Sequence, residues 1–187
     1  SRTLRFAAEM GARVVVCHSG NVDMPKLSFD LVRMAARGEQ FGEPYENLKL
    51  KAQLVRDKKA PKQLEYLAES LEQLLPVVQE TGVKLALENL PTWEAIPSEL
   101  EAEKLMRRFH AGGIRLWWDI GHAQIRDNLG FINAARWLRR LAPFLAGADA
   151  LLHVAGVNTP SSAQRDNIFT SNVAGTKQIL RAAQKAG

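Results

Sequence analysis

Short apolar segments alternate with amphipathic segments along this chain of 187 residues, and that alternation is the strongest constraint on its fold. Four segments have the composition of buried strands: ARVVVCHSG (12–20), VKLALENLP (83–91), IRLWWDIGHA (114–123) and DALLHVAG (149–156). The later strands recur at steps of about 30 residues, which is the length of a βαβ unit. Strands and helices that alternate in this way form a parallel sheet covered by helices. The sequence therefore predicts an α/β fold with a parallel sheet of about four strands.

Five segments have the periodicity of amphipathic helices. They are RTLRFAAEMG (2–11), PKQLEYLAESLEQLLPVVQETG (61–82), PSELEAEKLMRRFHAGG (97–113), FINAARWLRRLAPFLAG (131–147) and NVAGTKQILRAAQKAG (172–187). The clearest lies over residues 61–82, where Gly82 ends the pattern and one face carries Leu64, Leu67, Leu71, Leu74 and Leu75. In the segment over 97–113, Ser98 can cap the helix and acidic residues crowd its first turn.

The first strand and the connection after it carry two further predictions. Residues 12–20 are rich in valine, which predicts a parallel strand buried on both faces. The connection over residues 21–62 is the longest in the chain, and its segment GEQFGEPYEN is rich in glycine, proline and acidic residues. We therefore expect a loop at GEQFGEPYEN within this connection, and loops that long are usually functional or mobile.

Composition sets the class of protein and its expected location. The chain is 46% hydrophobic and 24% charged, which suits one α/β domain over residues 1–187. No apolar run reaches the roughly 18 residues of a membrane span, and the first residues do not have the pattern of a signal peptide. The single cysteine, Cys17, excludes an internal disulfide and fits a reducing compartment. We therefore expect a cytoplasmic protein that does not enter a membrane.

The formal net charge of +5 leaves two interpretations of the basic residues open. The basic residues lie along the predicted helices, at Arg56, Lys58, Lys59, Lys62, Arg107, Arg108, Arg136, Arg139 and Arg140. Such a surface suits a phosphate-bearing ligand or nucleic acid, but solvated helix faces are the commoner explanation. Because the aromatic residues of a single-strand binding platform are missing, we expect no nucleic-acid partner.

Each predicted strand ends in polar residues that can hold a ligand. They are His18, then Glu88 with Asn89, then Asp119 and His122, and then His153. The carboxyl ends of parallel strands meet at one edge of a sheet, where sites form. Imidazole with carboxylate suits zinc, manganese or cobalt, and a mostly carboxylate set suits magnesium. Hydrogen bonds that cap a loop are the alternative for each residue, and the favoured one for His153 taken alone.

The segments VVVCHSG, KLALENLP and LWWDIGHA resemble strands three, four and five of the xylose-isomerase-like TIM barrels. That superfamily includes sugar and sugar phosphate isomerases and epimerases, and endonuclease-IV-type DNA repair enzymes. The resemblance covers about residues 1–146 and implies a half-barrel. A complete barrel of this kind has eight strands, of which this segment resembles three. The resemblance therefore implies a site that is at most half complete within it.

The resemblance also implies a role for each polar strand end. Glu88 and Asp119 resemble the metal-binding carboxylates, and the glutamate also acts in acid/base catalysis in the isomerase branch. His122 resembles the histidine that binds metal or substrate after that aspartate. His18 matches a metal ligand of the nuclease branch. A histidine also ends strand six of the barrel family, which makes His153 a fifth candidate ligand.

The segment after about residue 147 is similar to a different family. DALLHVAG followed by NVAGT resembles the middle of the extended short-chain dehydrogenase/reductases, the NAD-dependent nucleotide-sugar epimerase group. His153, Ala155 and Gly156 match the strand end of that family, and Asn172, Gly175 and Thr176 match its helix. The glycine-rich fingerprint that binds the pyrophosphate is absent from the chain, so we expect no NAD. These matches predict barrel-derived (βα) units over 1–147 and a Rossmann-type β-α unit over 148–187.

Two resemblances in one chain suggest a chimera, natural or engineered, or a fragment of one. We predict a hybrid α/β scaffold without a native catalytic cycle that retains divalent-metal binding at its strand ends. The first alternative is a metal-dependent sugar or sugar phosphate isomerase/epimerase completed by a partner chain. The second is an endonuclease-IV-like nuclease for abasic sites. Open sheet edges are adhesive, so a homo-oligomer is the expected partner, with a small sugar or sugar phosphate as ligand if the chain is active.

Overall fold

A computed structural model describes residues 1–145 of the chain. The contacts between residues divide the chain after Phe144, and only the first unit is described below. The strand predicted over 149–156, its residue His153, and the helix predicted over 172–187 lie outside the described residues. The Rossmann-type unit predicted over 148–187 lies outside them as well.

Helices and strands alternate through the described part of the chain. The elements are α1 (Arg2–Glu9), β1 (Val14–Cys17), α2 (Leu27–Ala36), α3 (Glu43–Thr81), β2 (Lys84–Glu88), α4 (Glu99–Phe109), β3 (Ile114–Trp117), α5 (Ile120–Asn128) and α6 (Ala134–Leu145). A short 3₁₀ turn over His110–Gly112 joins α4 to β3. The α/β class predicted from the sequence is confirmed.

The three strands form one parallel sheet in the order β1-β2-β3. The register pairs Leu87 with Leu116 on one face and Glu88 with Trp117 on the other. Strands that follow the chain order, with helices between them, are consistent with part of a TIM barrel. The predicted parallel sheet is therefore present, with three strands in the described residues.

Helices α3 and α4 both lie against β3, and α1 lies against β1. The leucine face predicted on α3 packs inward: Leu71 is buried, and Leu64, Leu67, Leu74 and Leu75 are partly buried. Helix α4 begins with a capping box, in which Ser98 is the N-cap and Glu101 accepts a hydrogen bond from the Ser98 amide. Among residues 1–145, no helix is both long enough and apolar enough to cross a bilayer.

The prediction that β1 is buried on both faces is wrong. Val14 and Val16 are 45% and 40% exposed, and they share the sheet face that carries Glu88. Within the described residues, β1 is an edge strand, with β2 as its only neighbour in the sheet. Valine content indicates a strand, but it does not show which elements cover that strand.

The loop predicted at GEQFGEPYEN (38–47) is present only in its first half, because the non-helical segment ends at Gly42 and residues 43–47 begin α3. The connection over residues 21–62 contains α2 and the first half of α3, which begins at Glu43 and has Gly42 as its N-cap. The glycine, proline and acidic residues of GEQFGEPYEN are the start signals of a helix, because Pro44 lies in the first turn together with two glutamates. Helix α3 then continues through Pro61, which the sequence analysis had placed at a helix start.

The segment IRLWWDIGHA (114–123), predicted as one strand, is divided between two elements. Strand β3 ends at Trp117, and helix α5 begins at Ile120 with Asp119 as its N-cap. An aspartate at this position satisfies a backbone N–H of the first turn. The D-x-x-H spacing therefore spans a helix start, which fixes where His122 lies.

Gly113, at the turn into β3, is expected to tolerate no side chain. Its φ is +99°, and an added Cβ would lie 2.6 Å from Val78 Cγ1. Backbone strain together with this overlap predicts that Gly113→Ala lowers the free energy of unfolding by about 3 kcal/mol. Gly11 is a matched control, since its φ is +72° and its added Cβ would meet nothing within 4 Å. Urea denaturation should show a clearly smaller loss for Gly11→Ala, and equal losses would contradict the overlap.

Candidate functional site

Strands β2 and β3 bring three polar side chains to the same edge of the sheet. Glu88 is the last residue of β2 and pairs with Trp117, the last residue of β3. Asp119 follows two residues later as the N-cap of α5, and His122 lies in the first turn of that helix. The carboxyl ends of parallel strands are where sites form in such folds. The predicted edge therefore carries the predicted side chains.

Glu88, Asp119 and His122 form a cluster of candidate metal ligands. One ligand atom from each lies within 4.8 Å of those of the other two. His122 Nδ1 is 3.5 Å from Glu88 Oε1 and 3.8 Å from Asp119 Oδ2. All three side chains are partly buried, so the cluster is open on one side. Of the five predicted ligands, the structure gathers these three directly.

His18 joins the cluster through Glu88. Its Nε2 donates to Glu88 Oε2 at 2.9 Å, while the side chain remains 66% exposed. Each oxygen of Glu88 therefore faces one imidazole, Oε2 facing His18 and Oε1 facing His122. His18 is not among the three clustered residues, and His153 lies outside the described residues.

Asn89 forms hydrogen bonds to two residues of the cluster, Asp119 and His122. Its side-chain amide donates to the Asp119 carbonyl at 2.8 Å, and its Oδ1 accepts from the Asp119 amide at 2.7 Å. Its own backbone carbonyl accepts from His122 Nδ1 at 2.9 Å. Because both ends of the buried carboxamide are used, Asn89 holds the other residues in place instead of offering itself as a ligand.

The two carboxylate oxygens of Asp119 have different surroundings. Oδ1 accepts the His122 backbone amide at 2.8 Å and so caps helix α5. Oδ2 faces the His122 ring instead. One oxygen therefore fixes the start of the helix, and the other faces the site.

The donor set fits a divalent ion. Two atoms that each bind an ion at about 2.1 Å lie at most about 4.2 Å apart, and both distances from His122 Nδ1 satisfy that limit. Two carboxylates and one imidazole suit zinc, manganese or cobalt. Because a carbonyl can only accept, Nδ1 carries a proton while it bonds to Asn89. That proton has to move to Nε2 before Nδ1 of the neutral imidazole can coordinate an ion.

Two buried ion pairs surround the loop after Glu88, and neither is predicted from the sequence. Arg56 is bidentate to Glu101, and Arg126 binds Glu99. Arg56 is therefore buried, although its sequence context suggested a solvated helix face. The available signal was spacing: Arg126 follows His122 by four residues, which places both on one face of α5.

The comparisons with known proteins agree with the geometry of the sheet. The family model described as Xylose isomerase-like TIM barrel matches residues 1–187. Because this match runs through 148–187, it gives no support to a Rossmann-type origin for that segment or to a junction between two families. No curated protein and no solved structure matches the chain. The three parallel strands, with polar side chains at their carboxyl ends, agree with this match. Because the family model matches the whole sequence, the chain belongs to the xylose isomerase-like TIM barrel family.

Proposed function

We propose that the chain contributes to a divalent-metal-dependent isomerase or epimerase that acts on a sugar or sugar phosphate. The observation that carries this proposal is the cluster of Glu88, Asp119 and His122 at the carboxyl edge of the sheet. Family membership supplies the sugar isomerase-like scaffold. The cluster supplies charge and proton acceptors at the edge where such scaffolds carry their chemistry.

Glu88 and Asp119 would hold the ion through their carboxylates, with His122 as a third ligand once its Nδ1 proton has left. His18, on the second oxygen of Glu88, is the fourth candidate. When bound, zinc, manganese, cobalt or magnesium would polarise the carbonyl and hydroxyl oxygens of an open-chain sugar. Every other contribution comes from the side chains of the protein.

Glu88 is the candidate for proton transfer. A carboxylate that takes a proton from the carbon next to a carbonyl and returns it to the neighbouring carbon acts as both base and acid. The bond from His18 to Oε2 orients the group and leaves Oε1 on the side of His122. Trp117 pairs with Glu88 in the sheet and gives the same face an aromatic surface for the apolar side of a sugar.

A second copy of the chain is the proposed partner. The sheet face that carries Glu88 is uncovered at Val14 and Val16 in the described residues. In the described residues β1 is also an edge strand, and such edges pair with further strands. Association of two copies would therefore extend the sheet and cover the apolar side chains beside the site. The expected assembly is a homo-oligomer whose ligand is a small sugar.

Metal calorimetry with Asp119→Asn tests the site. Titration of the full chain with Mn²⁺, Co²⁺ or Zn²⁺ should release heat, and Asp119→Asn should weaken the affinity at least tenfold because it removes a charged ligand. Asparagine caps a helix about as well as aspartate, so α5 should keep its start and circular dichroism should not change. Equal affinities for the wild type and the variant would contradict the metal site.

Assays of activity separate the remaining interpretations. Interconversion of ketose and aldose substrates above background, with manganese or cobalt added, supports the isomerase. Heat of metal binding without turnover supports a scaffold that retains a metal site but has no catalytic cycle. A hybrid origin for residues 148–187 belongs to that interpretation. Incision at abasic DNA with steep salt dependence supports the nuclease instead.

A further inference from the structure

Arg126 connects helix α5 to the loop that follows Glu88. The residue lies one turn after His122 on a helix of nine residues, and its side chain is fully buried. Its Nη1 donates to both oxygens of Glu99, at 3.0 and 3.1 Å. Its Nη2 donates to the Thr92 carbonyl at 2.9 Å. One guanidinium therefore holds three segments together: α5, the loop after β2, and the start of α4.

The ion pair between Arg126 and Glu99 is almost completely buried. Both side chains are at most 1% exposed. Burial lowers the pKa of the Arg126 guanidinium, and the Glu99 carboxylate opposes that change. Buried ion pairs are often no more stabilising than apolar residues of the same volume, whereas they can fix one arrangement among several. The pair is therefore better suited to fixing a geometry than to adding stability.

The geometry that the pair fixes includes the His122 ring. His122 and Arg126 share a face of α5, and the two ends of that face bond to the same loop, at the carbonyls of Asn89 and Thr92. A shift or rotation of α5 would move the ring off the Asn89 carbonyl and change its distances to Glu88 and Asp119. With Arg126 anchored, such a shift would have to break bonds to Glu99 as well.

We infer that Arg126, paired with Glu99, is a positioning residue that holds the His122 ring on the Asn89 carbonyl beside Glu88. It contacts none of the candidate ligands through its guanidinium bonds and acts through the placement of α5. The consequence for metal affinity rests on the proposed function. The position of the ring does not, because it can be measured without metal.

The test replaces both charges with apolar side chains, as Glu99→Met with Arg126→Met in the full chain. Long-range ¹H–¹⁵N NMR of the metal-free protein, at a pH of about 8.5 where free imidazole is neutral, reports which ring nitrogen carries the proton. The wild type should have the Nδ1–H form, because Nδ1 donates to Asn89. The double variant should shift toward the Nε2–H form that free imidazole favours in water. The signal is assigned to His122 by its loss in His122→Gln.

The matched control is the second buried pair, replaced as Arg56→Met with Glu101→Met. That pair binds the same loop, at the carbonyls of Trp93 and Ala95, but it ties the loop to α3 and not to α5. The control should lower stability and leave the His122 ring in the Nδ1–H form. An equal shift of the ring in both double variants would mean a general loosening of the loop and would overturn the inference.

Cobalt titration gives the second readout. The Co²⁺ dissociation constant of the Glu99→Met, Arg126→Met variant should rise about tenfold or more. A ring that leaves the Asn89 carbonyl also leaves its place beside Glu88 Oε1 and Asp119 Oδ2, and this loss of placement outweighs the release of Nδ1 from its bond to Asn89. A folded variant with an unchanged ring proton and unchanged affinity overturns the inference. If the wild type binds no Co²⁺, the proposed function fails and the NMR result still decides the inference. If the double variant does not fold, Arg126→Lys, which keeps the charge but loses the planar fork that reaches both Glu99 and the Thr92 carbonyl, should show the same shift at smaller amplitude, and no shift overturns the inference.

Discussion

Under the proposed function, Glu88→Gln is expected to abolish isomerase or epimerase turnover. The change keeps the size and shape of the side chain but removes its charge and its capacity to take a proton. Loss of a general base costs about 10²–10⁴-fold in rate, and loss of a charged ligand adds to that cost. Steady-state kinetics with manganese or cobalt should therefore show a fall of at least about 10³-fold, together with weaker Co²⁺ binding by calorimetry.

The control for this variant is Glu80→Gln. Glu80 lies on α3, where it forms an exposed ion pair with Arg5, so the same chemical change occurs far from the sheet edge. We expect turnover and Co²⁺ affinity of Glu80→Gln to equal those of the wild type. A Glu88→Gln variant that keeps turnover would remove Glu88 from the proposed proton transfer, and one that keeps Co²⁺ affinity would remove it from the proposed ligand set.

Glu101→Gln is expected to produce a large loss of stability. Glu101 is bidentate to Arg56, and it also accepts the Ser98 amide in the capping box of α4. Glutamine leaves the buried Arg56 charge without a counter-ion, and breaking a buried pair in this way costs about 3–5 kcal/mol. Urea denaturation at pH 7 should show a loss of about 3 kcal/mol in the free energy of unfolding.

The loss should depend on pH in a defined direction. Burial raises the pKa of the Glu101 carboxyl, but the hydrogen bonds and charge of Arg56, with help from Ser98, outweigh burial and hold that pKa below its usual value. A carboxyl with a lowered folded-state pKa stabilises the protein fully above its unfolded-state pKa of about 4.3, and that contribution is lost as the pH falls through the folded-state value. The difference between wild type and variant should therefore shrink as the pH falls below about 4.

An exposed pair provides the comparison for Glu101. Glu39 pairs with Arg37 at the surface, where solvent screens the interaction. Glu39→Gln should leave the denaturation midpoint at pH 7 close to that of the wild type. If Glu39→Gln and Glu101→Gln lowered the free energy of unfolding by similar amounts, burial would not be the reason for the stabilising effect of the pair between Arg56 and Glu101.

Much of the fold could be predicted because its signals are local. The apolar run before Glu88 and the one before Asp119 identify β2 and β3, and the leucine face identifies the second half of α3. The beginning of α3 was missed because glycine, proline and glutamate occur both in loops and in the first turn of a helix, and only the residues that follow distinguish the two. The exposure of Val16 was missed because the sequence of a strand does not show which other elements pack over it.

The candidate site, like the fold, could be predicted from the sequence only where its signals are local. Residues at strand ends can be found from sequence because parallel topology brings strand ends together, which identified Glu88, Asp119 and His122 in advance. The hydrogen bonds of Asn89 and the pairing of Arg126 with Glu99 could not be found in that way. They join segments whose relative placement is fixed only when the helices pack against the sheet.

The divided surroundings of Asp119 restrict how this chain can change over evolutionary time. One oxygen sets where α5 begins, and the other faces the cluster, so a substitution at this position can change the start of the helix and the donor atoms of the cluster at the same time. A longer acid such as glutamate would move both oxygens together, and an apolar residue would lose both contributions at once. Asparagine is the exception, because it caps a helix about as well as aspartate, so the charge that faces the cluster can change while α5 keeps its start.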